Sequence, residues 1–166
     1  MEEKKYAVLI DGDNISSKYL DSILNEMTKY GIATYKRIYC DFTSQQSSKW
    51  RRLVRDSGIQ AMQQFANTVG KNATDSTLII DAMDILYTGN VDGFCIVSSD
   101  GDFTRLAIRL KESGMDVIGM GESKTPRSFR AACTVFTDLE ILYEAESEDD
   151  EISTKGKKPA VKHNVV

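Results

Sequence analysis

Apolar residues recur along this chain in two alternating rhythms. Short runs such as Tyr6–Asp11 and Phe94–Ser98 are almost wholly apolar, as strands buried on both faces are. Longer stretches lie between such runs, with apolar residues every three or four positions. Ser17–Tyr30 carries Tyr19, Leu20, Ile23, Leu24, Met27 and Tyr30 at helical spacing and closes at Gly31. Ile32–Asp41 reads as a second strand, Ser47–Ser57 as a short basic helix ended by Gly58, and Ile59–Phe65 as a third strand. Ala66–Thr74 reads as a loop and Asp75–Tyr87 as a buried helix. Phe94–Ser98 is the fourth strand, Phe103–Ser113 the next helix and Asp116–Met120 the fifth strand. Thr125-Pro126 opens a helix with a capping hydroxyl and a proline in its first turn. Val135–Thr137 reads as a short last strand before Leu139–Tyr143.

Strands that alternate with helices of this length predict a three-layer α/β/α domain around a central, mainly parallel sheet. The domain is expected over residues 1–143. From Glu144 the pattern gives way to six acids and then four lysines without a hydrophobic face. Residues 144–166 are therefore expected to be a disordered tail, acidic and then Lys-rich.

The composition of 41% apolar and 28% charged residues is that of a soluble globular protein. No run is long enough to span a bilayer, and Met-Glu-Glu-Lys-Lys lacks the apolar stretch of a secretory leader, so a cytoplasmic location without membrane contact is expected. Cys40, Cys95 and Cys133 are odd in number and scattered, which favours buried reduced thiols over a disulfide or zinc site. The net charge of −4 argues weakly against a nucleic-acid partner, because residues 1–143 carry 17 basic and 19 acidic side chains. If several of those acids hold a metal, the remaining surface is close to neutral.

The candidate chemistry lies where apolar runs stop at carboxylates. Asp11 ends the first strand, with Asp13 and Asn14 in the turn that follows. Ser98 ends the fourth strand, with Asp100 and Asp102 just beyond, separated by Gly101. Asp75 opens a predicted helix, preceded by Lys71 and Asn72. In an open α/β sheet the carboxyl ends of the strands line the ligand crevice. Carboxylates gathered there need a cation, and oxygen ligands without histidine or cysteine suit Mg²⁺ or Mn²⁺. Each aspartate alone would more often be a helix cap or turn residue, Asp13 and Asp102 above all. Asp81 and Asp84 turn towards other faces of their helix and read as structural. Lys49-Trp50-Arg51-Arg52 with Arg55 is the strongest basic patch. Its Trp50 either stacks a base or is buried beneath a solvated helix face.

Taken as a set, Ile10-Asp11-Gly12-Asp13-Asn14, Lys71-Asn72 through Asp75 to Asp84, and Ser98-Ser99-Asp100-Gly101-Asp102-Phe103 resemble the NYN domain. With Gly121-Glu122-Ser123-Lys124-Thr125-Pro126 through Cys133, the resemblance is to its bacterial LabA-like branch and runs over roughly residues 5–143. NYN domains belong with the PIN-like nucleases, which have a Rossmann-like sheet. The resemblance implies Mg²⁺- or Mn²⁺-dependent phosphodiester hydrolysis, with Asp11, Asp75, Asp100 and Asp102 as the acidic cluster and Asn14 beside the first of them. Asp13 has no firm counterpart in the wider group. Ser98, Lys71, Lys124 and Arg127 are candidate contacts to a nucleic acid, with RNA preferred over DNA; a homodimer is allowed, although no residue pattern compels one.

Two other readings compete. Asp11-Gly-Asp13 resembles the nucleophile motif of haloacid-dehalogenase phosphatases, yet Asn14 and Ile15 depart from that motif and no cap insertion follows. Alternatively, the domain binds nucleic acid or protein without catalysis.

Overall fold

The computed structural model describes residues 2–65 and 73–149. Six strands, β1 (Lys5–Asp11), β2 (Ile32–Cys40), β3 (Gln60–Gln63), β4 (Gly93–Val97), β5 (Asp116–Gly121) and β6 (Val135–Asp138), form one sheet in the order β3-β2-β1-β4-β5-β6. Every neighbouring pair is parallel. The chain builds outwards from β1 in one direction and then returns to build from its other side. That reversal makes the gap between the ends of β1 and β4 a topological switch point, where ligands of such sheets bind.

The three-layer α/β/α expectation holds. The helices are α1 (Leu20–Met27), α2 (Ser48–Ser57), α3 (Ala73–Thr88), α4 (Thr104–Glu112), α5 (Arg127–Ala132) and α6 (residues 139–149). One face of the sheet presents Ala7, Leu9, Phe94, Ile96 and Val117 to Leu78 and Ala82 of α3, Leu106 of α4 and Phe129 of α5. The other presents Val8, Ile10, Cys95, Val97 and Ile118 to Leu20 and Ile23 of α1, Trp50 of α2 and Leu139 of α6. The central strands are thus buried on both sides, which is why their sequences read as unbroken apolar runs. All three cysteines are buried thiols, and burial pushes Cys40 and Cys133 up to about 12.

The element boundaries depart from the periodicity in four places. The first helix opens with a 3₁₀ turn over Ser17–Tyr19, and its α-helical part stops at Met27 rather than Tyr30. β3 is shorter than the pattern Ile59–Phe65, and Phe65 lies outside the sheet and is exposed. α3 is already helical at Ala73, two residues before Asp75.

The last departure is the largest, since α6 continues through residue 149, where a disordered tail is expected from Glu144. One of its acids finds partners on α1: Glu146 accepts hydrogen bonds from Ser22 Oγ and Asn25 Nδ2. Tyr143 also packs edge-on against Tyr19, with ring centroids 5.5 Å apart. Residues 150–166 lie outside the described residues.

Candidate active site at the carboxyl rim of the sheet

Strand register brings the first carboxylate to the switch point. Ile10 of β1 is level with Val97 of β4, so the next residues, Asp11 and Ser98, meet at the rim. Asp11 is fully buried. Its Oδ2 accepts hydrogen bonds of 2.8 Å from both Asn14 Nδ2 and Ser98 Oγ. Its Oδ1 is buried with no hydrogen-bond partner among the described residues. Burial pushes the carboxyl up to about 6, opposed by those two hydrogen bonds and reinforced by the negative charges of Asp13 and Asp100.

Ser98 ties the two strand ends together. While its hydroxyl donates to Asp11, its Oγ accepts the backbone N–H of Asp100 at 3.0 Å. Asp100 is half-buried and caps the 3₁₀ turn Gly101–Phe103, its Oδ1 accepting the N–H of Asp102 at 2.9 Å. Asp102 and Asn14 are exposed. Gly121 at the end of β5 permits this closeness, since a Cβ there would lie 2.6 Å from the carbonyl oxygen of Ser98 and 2.5 Å from Thr125 Oγ1.

Asp75 lies on α3, which follows β3 and packs on β1 and β2. Its side chain, like the whole of Lys71, falls outside the described residues. Among the described residues no group of three acidic, cysteine or histidine side chains forms a ready cation cage. Asp11, which feels the negative charges of Asp13 and Asp100, is the described part of the candidate centre. Lys124 is exposed, 3.8 Å from Glu122, and Arg127 is exposed at the start of α5. Arg130, by contrast, donates to the carbonyls of Thr125 and Ser123 and braces the 122–126 loop. Asp81 is structural: it accepts from Tyr39 Oη at 2.7 Å and from Arg37 at 3.1 Å.

Trp50 is buried and does not stack a base. Its indole N–H donates to the carbonyl of Gly12 at 3.1 Å, which anchors α2 to the residue after Asp11. Sequence reasoning passed over Asp41, which follows β2 as directly as Asp11 ends β1. Its Oδ1 accepts from Thr43 and from Gln63 Nε2, and its own N–H donates to Asp13 Oδ1 at 3.4 Å. The signal was present, because the predicted second strand also stops at an aspartate. A cleft of about 770 Å³ opens beside Asp11, between the 12–17 turn, the 41–50 segment and Glu122 with Lys124.

The NYN domain model matches residues 5–140. The chain belongs to the NYN domain family. NYN domains form part of the PIN-like nuclease superfamily, whose members generally use divalent cations. The domain is 27% identical over 125 residues to an uncharacterized protein of Methanocaldococcus jannaschii, a match over 72% of this chain. It spans about half that relative's length, 48%. A solved structure of a protein of unknown function from Vibrio parahaemolyticus superposes with a TM-score of 0.67 at 19% identity, covering 82% of this chain and 93% of that one. At that identity the likeness concerns the fold alone. Among the described residues of the NYN domain, no helix is long and apolar enough to cross a membrane.

Proposed function

We propose that this NYN domain, of the LabA-like branch, is a cytoplasmic Mg²⁺- or Mn²⁺-dependent nuclease that hydrolyses single-stranded RNA. The observation that carries this reading is the buried, unpaired Oδ1 of Asp11 at the switch point. A buried polar atom without a partner costs roughly 1–3 kcal/mol, and more when charged. A cation bound beside it would remove that cost. The donors nearby are oxygens rather than nitrogen or sulfur, which fits a hard cation.

Asp11, Asp100, Asp75 and Asp102 are the residues that would hold the ion or ions. Bound there, a divalent cation supplies charge neutralisation at the phosphate and a water of lowered pKa. Asn14 and Ser98 fix one oxygen of Asp11, so the carboxylate cannot rotate away and keeps its free oxygen at the rim. The Ser98 hydroxyl couples Asp11 to the position of Asp100 through the latter's N–H. Asp102, exposed one turn beyond, orients the attacking water. The water oxygen would bond to phosphorus as the bond to the 3′ oxygen breaks. The water gives up a proton to solvent, the leaving 3′ oxygen takes one up, and no residue need become covalently attached. Lys71, Lys124 and Arg127 contact substrate phosphates, with the exposed Asn14 nearest the scissile one. Ser98 is fully buried and hydrogen-bonded to Asp11 and to the Asp100 N–H, so it positions the carboxylates instead of touching substrate as expected from the sequence. An open rim reaches unpaired strands most readily, which favours single-stranded RNA.

The deciding experiment follows a labelled single-stranded RNA with Mg²⁺, Mn²⁺ or EDTA, using the wild type and Asp100→Asn. Cleavage abolished by EDTA and by the substitution is expected. Equal cleavage by Asp100→Asn would trace the activity to a contaminant and remove support for the enzyme. A non-catalytic binding module is the second reading. Tight RNA binding without cleavage across several divalent ions would select it. The phosphatase reading loses support, because the chain belongs to the NYN family, matched over residues 5–140, and Asn14 and Ile15 depart from the phosphatase motif.

A further inference from the structure

The cleft beside Asp11 does not end at the acidic rim. It shares Ser16, Ser17 and Lys49 with a second cleft of about 530 Å³, lined further on by Lys18 and Arg52. The two make one groove over the layer of α1 and α2, and its charge changes along its length. The end near β1 is lined by Asp13, Asp41 and Glu122, against Lys49 and Lys124. The far end is lined by Lys18, Lys49 and Arg52 against Asp21 alone.

Two of the cations at the far end, Lys49 and Arg52, are exposed. Lys49 and Arg52 are three residues apart on α2 and therefore share a side of the helix. Neither takes part in the ion pairs found among the described residues. The intervening Arg51 is committed elsewhere, donating to the carbonyls of Phe42 and Ser44 and to Ser47 Oγ, and Trp50 is committed to Gly12. Lys18 is held over two rings, 5.1 Å from the centroid of Tyr19 and 5.2 Å from that of Tyr143. Ser16 and Ser17 line both clefts.

We infer that this groove is the path of a single-stranded nucleic acid away from the carboxylate centre, with Lys49, Arg52 and Lys18 neutralising the flanking phosphates. The inference rests on the reading of the rim as a phosphodiester-binding centre, and it adds the direction in which the strand leaves. A groove acidic at the reacting end and basic beyond it draws in a polyanion while keeping the cation site at one phosphate. With Trp50 buried, the grip is electrostatic rather than by stacking, so sequence preference along this path should be weak.

The test measures binding apart from cleavage. Fluorescence anisotropy of a labelled 12-nucleotide RNA, and of the same sequence as DNA, is recorded in EDTA across a salt series. The full chain is compared with Lys49→Glu, Arg52→Glu and Lys111→Glu, the last on α4 in the opposite layer and removing the same charge. The inference expects Lys49→Glu and Arg52→Glu each to weaken binding on the order of tenfold at low salt and to reduce the salt slope by about 0.7–1. Lys111→Glu should leave both nearly unchanged. Equal weakening by all three would reduce the effect to net charge and overturn the path, as would unchanged binding or no binding by the wild type. RNA and DNA arms of equal strength would assign the groove to the backbone, and a stronger RNA arm would add recognition of the 2′-hydroxyl. Wild-type cleavage is scored separately, so groove-dependent binding without turnover would sink the nuclease and keep the path.

Discussion

Asp-Gly-Asp occurs twice at a strand end in this chain, and the two copies have different fates. Asp11 is the last residue of β1 and is fully buried within the sheet. Asp100 follows β4 only after Ser98 and Ser99, stands half-exposed and caps a 3₁₀ turn. Two residues of offset turn one carboxylate into a buried group pushed up to about 6 and leave the other a solvated cap. Identical motifs therefore do not imply identical chemistry. Distance from the last ladder position decides which oxygen loses water.

The contrast can be broken most sharply at Asp11 itself. Asp11→Asn should lower metal-dependent RNA cleavage by roughly a thousandfold, because it removes the charge while keeping the shape. Its effect on folding should be opposite, raising the melting temperature of the metal-free protein near pH 7.5. A variant that loses stability as well as activity would mean that the charge of Asp11 is compensated within the chain.

The same difference should appear next in the pH dependence of stability. With a folded value of about 6 against the ordinary 3.8, folded Asp11 keeps a proton over that window which the unfolded chain has released. Stability from this group is therefore full below 3.8 and is lost as pH rises through about 6. The total is on the order of 3 kcal/mol. Thermal melts in EDTA from pH 4 to 7.5 should show the decline in the wild type and not in Asp11→Asn; parallel curves would show that Asp11 is not the titrating group.

Asp100 should behave as the solvated member of the pair. Asp100→Ala should cost about 1 kcal/mol through the lost cap, whereas Asp100→Asn keeps capping and should cost less than half of that. Chemical denaturation separates the two. Equal losses would show that the charge rather than the cap holds the turn.

The smallest effect is expected at Asp13, the exposed second acid of the first motif. Asp13→Asn should change cleavage only a few-fold, corresponding to about 1 kcal/mol or less at a solvated position. Complete loss of activity would instead return attention to a phosphatase-type role for that residue.

The sheet was largely legible from the apolar runs, because β1 and β4 are buried on both faces and leave no polar position to confuse the pattern. The continuation of α6 was not. Glu144 to Asp149 read as a solvated tail, and only the fold shows that Ser22 and Asn25 of α1 wait to pair Glu146. Local patterning carries no information about a partner over a hundred positions away. Trp50 was ambiguous for the same reason: its amphipathic helix shows which residues share a side, but not that the Gly12 carbonyl needs a donor. At the rim, Asp11 and Asp100 were legible as strand-end acids. Their unequal burial follows from register, which no single strand reveals.

Trp50 is the single tryptophan of the chain, and its indole is one peptide unit from Asp11. The protein thus carries a built-in optical probe of the rim. Its emission should be blue-shifted in the native state and should respond when Mn²⁺, a paramagnetic quencher, arrives beside the neighbouring carboxylate, without any dye or label.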